Sequence, residues 1–287
     1  LLTDDFKHSK TSPVNVSSKK HKVLDRLVDL CIARDGAGKK SYIFNNLEVK
    51  EIARDVEFGN PFDATHIDTS KKLSPRMVEE DLALLHLGTP VGEKSAHHIF
   101  IRGIENIYQP LPFIKNESKI DYNPGPLDQL NTSESNILSM LHNHNILLKF
   151  LYPDEIESKP HMYMSHRTKY SPRFKIGTLN IHCNKLQIEI DMTLEDKGSI
   201  TVFEAKNWIS GRNDFAVYQL YHPFLHYYSL MEAGELDVQE VNCSYAVRKK
   251  TSDGVQMDIY LFTFDEPLDM TSIRLLRSHS YILSKIM

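Results

Sequence analysis

Three acids and a lysine stand close together in one short stretch: Glu189 and Asp191 in Gln187-Ile188-Glu189-Ile190-Asp191, then Glu204 and Lys206 in Glu204-Ala205-Lys206, thirteen positions beyond Asp191. Carboxylates gathered at one place repel each other unless a cation neutralises them, and ligands that offer oxygen alone select a hard ion such as Mg²⁺. A lysine beside such an ion can orient or deprotonate an attacking water and stabilise charge on a phosphate.

Two strands are needed to bring these groups together. Residues 187–191 and 200–206 alternate apolar and polar side chains with the period of two expected of half-buried strands, and Leu194-Glu195-Asp196-Lys197-Gly198-Ser199 has the polar chemistry of a hairpin loop. Alternation puts Gln187, Glu189 and Asp191 on one face of the first strand, and Glu204 and Lys206 on one face of the second.

These residues resemble the active-site pattern of the PD-(D/E)XK nuclease superfamily, and within it the type II restriction endonucleases. Ile190-Asp191 matches the first half of the pattern, with Ile where Pro is usual, and Glu204-Ala205-Lys206 matches the second. Asp214-Phe215-Ala216-Val217-Tyr218-Gln219-Leu220-Tyr221-His222-Pro223-Phe224 is similar to the helix that follows the catalytic strands in such enzymes. The resemblance implies that Asp191 and Glu204 hold one or two Mg²⁺, that Lys206 positions the water and that Gln219 supports the site. Glu189, on the face of Asp191, would bind metal directly or through water.

The chain has 287 residues, 25% of them charged and 41% hydrophobic, the composition of an ordinary globular protein with room for one large domain or two. It opens on Leu1 rather than Met, as a fragment would. No run approaches the ~18 apolar residues of a membrane span and no signal-peptide pattern is present. Cys31, Cys183 and Cys243 are isolated, so neither a disulfide framework nor a zinc site is expected, and a cytoplasmic location is the default.

A formal charge of −4 does not advertise a nucleic-acid binder. Distribution matters more than the total, because phosphate contacts need a basic face rather than a basic protein. Residues 158–188 contain no Asp or Glu, while Lys159, Arg167, Lys169, Arg173 and Lys175 lie among them, leading into the first acidic strand. These five are the expected contacts to the DNA backbone.

Residues 1–18 are polar and aperiodic and read as a flexible arm. Apolar positions at three- and four-residue steps predict a helix over residues 19–33, a second over 47–58, and a third that begins at Ser74-Pro75 and is carried by Met77, Val78, Leu82, Leu84 and Leu85 to Gly88. His97-His98-Ile99-Phe100-Ile101 is strand-like. Three short helices before a hairpin make a winged helix-turn-helix, a module that reads DNA with a helix in the major groove. Its third helix carries Glu79, Glu80 and Asp81, so Thr65, His66, Lys71, Lys72 and Arg76 are the better candidates for DNA contact. Residues 58–65 are similar to a segment of restriction endonucleases. Pro110, Pro112, Pro124, Gly125 and Pro126 mark residues 109–126 as a linker, with a domain boundary near 125.

Beyond it, Ser133 caps a helix over residues 133–151. Glu134 in its first turn has two readings, an added carboxylate of the metal shell or, preferred, an acid favoured by the helix macrodipole. The aromatic helix is expected over 214–233. Its His222 and His226 are four apart, but with Pro223 between them they read as a pair packed on the core rather than metal ligands. Residues 243–247 and 257–264 read as strands and 273–287 as a short basic helix.

The expected fold is therefore mixed α/β: a winged-helix-like DNA-binding domain over 19–125 and, over 126–287, a restriction-endonuclease-like mixed sheet flanked by helices. The expected function is Mg²⁺-dependent, sequence-specific cleavage of double-stranded DNA in a restriction-modification system, by a homodimer if the target is palindromic. A non-enzymatic winged-helix regulator and a repair or transposition nuclease with the same core are the alternatives.

Overall fold

The computed structural model describes residues 18–37, 42–123, 125, 126, 128, 133–153, 159–208, 214–252 and 254–285. The expected arm, apart from Ser18, lies outside the described residues, as do part of the linker and the last two residues of the expected C-terminal helix.

The chain begins with α1 (Lys19–Gly36), capped by the Ser18 side chain accepting from His21 N–H and burying the stripe Val23, Leu24, Leu27, Val28 and Cys31. After β1 (Ile43–Asn45), Asn45 and Glu48 form a reciprocal capping box that starts α2 (Asn46–Asp55). Two short helices follow, α3 (Pro61–Ala64) and α4 (Pro75–Glu79), then β2 (Leu82–Gly88) and β3 (His97–Arg102). The three strands form an antiparallel sheet in the order β1-β3-β2.

The expected third helix is thus cut short. Asp81 adopts a left-handed backbone conformation, φ 53°, and the leucines after it are strand residues buried on both faces. Leucines at helical spacing within a continuous apolar run fit helix and strand alike, and pairing with β3 decides the matter.

Strands β4 (Tyr108–Pro110) and β5 (Glu117–Tyr122) fall where a linker was expected. After them come α5 (Glu134–Asn143) and α6 (Ile146–Leu151), separated at Asn145 with φ 55°, where one helix was expected. Next are β6 (His161–Tyr170), the small hairpin β7 (Arg173–Ile176) and β8 (Leu179–His182), then β9 (Leu186–Asp196) and β10 (Ser199–Asn207). The β9–β10 turn is tighter than expected, only Lys197 and Gly198 at φ 50° and 78°, the pair of positive angles that suits a two-residue hairpin. Asp214 to Ala216 form β11, paired with β4, so α7 (Tyr218–Glu232) starts later than expected.

The last elements are β12 (Glu240–Thr251), β13 (Gly254–Phe264) and β14 (Ile273–Lys285). The final stretch is a strand and not the expected helix: it pairs with β13 along its length and with β5 on its other side.

The main sheet has seven strands in the order β5-β14-β13-β12-β10-β9-β6, with β10 and β12 parallel. The fold is mixed α/β. One apolar cluster packs α5 and α6 against Phe203, Ala205, Ala246, Ile259 and Leu283. The other joins α7, Val202 and Tyr245 to Leu24, Phe44 and Leu85 of the amino-terminal elements. The sheet takes its edge strand β5 from before residue 125, and this second core runs continuously across that expected boundary.

The two parts also meet through backbone. Asn184 N–H donates to Leu87 C=O at 2.9 Å, and Thr89 N–H donates to Asn184 C=O at 2.6 Å. Gly88 between them has φ 76°, and a Cβ there would collide with Asn184 O and the backbone of Leu186. Gly88→Ala is therefore expected to cost about 2 kcal/mol or more, the left-handed penalty plus a displaced backbone. Urea unfolding measures it, and an unchanged midpoint would mean that β2 is not docked against residues 184–186.

Candidate active site at the parting of two strands

Pairing between β9 and β10 runs from Asp196 opposite Ser199 to Met192 opposite Phe203, and there it stops. One step further the Asp191 carboxylate replaces the missing strand partner: its Oδ2 accepts from Ala205 N–H at 3.1 Å. The strands part where the two acids face each other. Because Glu204 and Lys206 share a face of β10, Lys206 Nζ reaches Glu204 Oε1 at 2.8 Å.

Two helices close the site. Glu134, in the first turn of α5, accepts from Lys206 Nζ at 2.8 Å, and Gln219, in the first turn of α7, donates from Nε2 to Glu204 Oε1 at 2.9 Å. Asp191, Glu204, Lys206, Glu134 and Gln219 line one cavity of about 420 Å³. Gln219 Oε1 is buried there with no hydrogen-bond partner among the described residues.

Burial pushes the Glu204 carboxyl up to about 8, against the pull of Lys206 and helped by Asp191 and Glu134. Burial likewise raises Asp191, with Ala205 N–H and Lys206 working the other way. Burial disfavours charge on Lys206, but Glu204 and Glu134 more than offset this and raise it above its ordinary value. The lysine therefore stays an ammonium. It is suited to holding an anion or a water, not to removing a proton.

The remaining expected residues fall in different places. Glu189 lines the cavity, but its carboxylate is engaged by Arg167, 3.1 Å from Nε and 3.3 Å from Nη2, so the charge of each is met by the other. Lys159 and Lys169 are exposed, and so are Arg173 and Lys175, which alternate on β7 with buried Phe174 and Ile176. Lys71 is exposed, whereas Lys72 is paired with Asp68 at 2.5 Å. Arg76 sits among Asp29, Glu79 and Glu80, which neutralise it where a phosphate contact was expected. His222 is buried and faces the Tyr170 hydroxyl, and His226 packs edge-on against the same ring, in keeping with a packed pair.

Among the described residues, no group of three or more His, Cys, Asp or Glu is arranged as a ready metal cage. The donor set does fit an ion that takes one or two carboxylates and keeps its waters: Asp191 and Glu204 offer oxygen alone, beside the unpartnered Gln219 oxygen. Glu134, which the sequence favoured as a helix-dipole acid, proves to be the second partner of Lys206. His66, His86 and Tyr218 also line the cavity. His66 was expected as a DNA contact of the amino-terminal part rather than as a lining residue of this cavity, the place of Tyr218 beside Gln219 could have pointed to it, and no sequence signal singled out His86.

Residues 103–282 match the family described as a domain of unknown function, DUF6997. The chain belongs to that family. The DUF6997 match begins at Gly103, one residue after β3, so it contains Glu134, Asp191, Glu204, Lys206 and Gln219 and leaves the three-stranded amino-terminal sheet outside. No curated protein and no solved structure matches the chain. Among the described residues of this DUF6997 protein, no helix is long and apolar enough to cross a membrane.

Proposed function

We propose that this DUF6997 protein is a Mg²⁺-dependent endonuclease that cuts double-stranded DNA at specific sequences, with a PD-(D/E)XK-type active site. The observation that carries the reading is the meeting of Asp191, Glu204 and Lys206 in one cavity at the place where β9 and β10 part, with Gln219 on Glu204. Each is a residue that the motif resemblance singles out.

Bound there by Asp191 and Glu204, Mg²⁺ would polarise the scissile phosphate and lower the pKa of a water. The chain's own groups do the rest. Lys206, held between Glu204 and Glu134, keeps its positive charge and, with two of its three N–H groups taken by those acids, has one left for the attacking water or a phosphate oxygen. Gln219 fixes the Glu204 carboxylate, and the Ala205 amide fixes Asp191.

The amino-terminal order α1, β1, α2, α3, α4, β2, β3, with sheet order β1-β3-β2, supports a winged-helix reading in which β2 and β3 form the wing. The short α4 and the neutralised Arg76 shift the expected DNA contacts toward Lys71 and the exposed lysines of residues 159–175. Cutting both strands calls for two such sites, supplied by a symmetric homodimer.

The test is incubation of the protein with unmethylated plasmid and phage DNA in Mg²⁺ and in EDTA. Discrete fragments are expected in Mg²⁺ alone. Intact DNA in both Mg²⁺ and Mn²⁺ over several unrelated substrates would overturn the nuclease reading, and retardation without cutting would favour a DNA-binding regulator.

A further inference from the structure

The segment between α3 and α4, in the amino-terminal half, contributes His66 to the lining of the cavity. Its backbone is clamped from several sides. Ile67 C=O accepts from the Tyr218 hydroxyl at 2.6 Å and from the Tyr108 hydroxyl at 3.3 Å. The Asp214 carboxylate accepts from the Thr69 hydroxyl and from Ser70 N–H. Lys20 Nζ donates to His66 C=O at 2.9 Å. Tyr218 and Asp214 belong to the same short stretch as Gln219, so these bonds tie the segment to the part of the chain that supports Glu204.

Within this clamped segment the His66 side chain is the exception. It lines the cavity, it is exposed, and its ring has no hydrogen-bond partner among the described residues. The charged groups that act on it are Asp68, Lys72, Lys206 and Lys20, and each lysine has an acid of its own: Asp68 for Lys72, Asp63 for Lys20, and Glu204 with Glu134 for Lys206. A floor of carboxylates is thus overlooked by one unengaged imidazole. That is the polarity a phosphodiester requires, a cation-binding floor beneath it and hydrogen-bond donors at its non-bridging oxygens.

We infer that His66 is a substrate-contacting residue of this site, a hydrogen-bond donor to a phosphate oxygen that the amino-terminal half holds over the carboxylates. The inference rests on the nuclease reading and adds a component to it: the site is complete only with a residue outside the DUF6997 segment. No proton transfer is required, since a neutral imidazole carries one N–H to donate.

Two measurements on the full chain test this. The first is single-turnover cleavage by the unaltered protein, His66→Ala and His66→Gln. Loss of one hydrogen bond to a charged oxygen is expected to slow His66→Ala about ten- to a hundredfold, with His66→Gln recovering part of the rate and both variants keeping the parent melting temperature. The second is a titration of ¹⁵N-histidine-labelled protein in EDTA with a short DNA duplex, reading the imidazole resonance of His66, identified by its loss in His66→Ala. That resonance is expected to shift. Unchanged cleavage by His66→Ala, or a His66 signal that stays still while others move, overturns the inference and leaves the nuclease reading standing. A shifting signal without cleavage by the unaltered protein overturns the nuclease reading and keeps the phosphate contact. Neither cleavage nor shift overturns both.

Discussion

Substituting either Glu204 or Lys206 by Ala should reduce Mg²⁺-dependent cleavage by at least a hundred- to a thousandfold, on the order of what one preorganised charged group contributes to a reaction. The two variants should differ in how they affect the fold. Lys206→Ala leaves Glu204 buried beside Asp191 with no cation, and breaking a buried pair in this way costs about 3–5 kcal/mol unless the remaining acid takes up a proton. Glu204 already leans toward the protonated form, so that escape is open and the loss of stability should shrink as pH falls. Glu204→Ala leaves Lys206 with the half-exposed Glu134, a weaker partner at the same 2.8 Å. Cleavage assays with Glu204→Gln and Lys206→Met, which keep the side-chain volume, separate lost chemistry from lost packing. If both remain active, Glu204 and Lys206 are structural and the site lies elsewhere.

Acid should weaken the fold well above the range in which carboxylates usually titrate. Burial lowers His86 to about 4, with His66 adding to the shift, and lowers His98 and His222 to about 3, with His86 adding to each. The Nδ1 atoms of His86 and His98 are 2.9 Å apart and share a single proton, and His98 Nε2 faces Asn46 Oδ1 at 2.8 Å. A second proton on that pair would meet like charge in an apolar setting.

The folded values lie below the ordinary 6.5, so the unfolded chain binds more protons and stability falls as pH drops below 6.5. Each histidine kept neutral then costs about 1.4 kcal/mol per pH unit. Glu204 acts in the opposite sense. Its folded value is raised, so its contribution is full below the ordinary 4.5 and is lost as pH rises toward about 8. The unfolded histidines are half protonated at pH 6.5 and about nine-tenths protonated at 5.5, so three of them against one acid leave a net uptake that averages slightly more than one proton on unfolding, or roughly 1.7 kcal/mol between pH 6.5 and 5.5. Urea midpoints at pH 7.5 and 5.5 measure the slope, and His222→Gln should remove roughly 1.4 kcal/mol of the change across that window, about half a proton on average. A variant with the parent's slope would mean that His222 is not held neutral by burial.

What could be read from the sequence was whatever depends on neighbours in the chain. The alternation around Asp191 and Glu204 foretold β9 and β10, because inward and outward positions of a strand differ by one residue whatever it pairs with. Ser18, Asn45 and Ser133 sit at helix starts for a similarly local reason: their side chains bond to backbone two or three residues ahead. Where local signals were neutral, the sequence misled. Leu82 to Leu85 suit a helix as well as a strand, and residues 273–285 carry scattered apolar positions that settle into a strand only because β13 and β5 flank them.

By itself, then, the sequence determined a hairpin carrying Asp191, Glu204 and Lys206, the helix with Gln219 after it, and a mixed α/β chain around them. The tertiary structure alone decided which charges are free and which are spent. It brought Glu134 to Lys206 across 72 residues and closed Arg76 into a cage of acids. It also gave Glu189 to Arg167 and set His66 over the cavity. The reason is physical: periodicity reports the face on which a side chain lies, whereas the state of a charge depends on the groups within a few ångströms of it, and those come from distant parts of the chain.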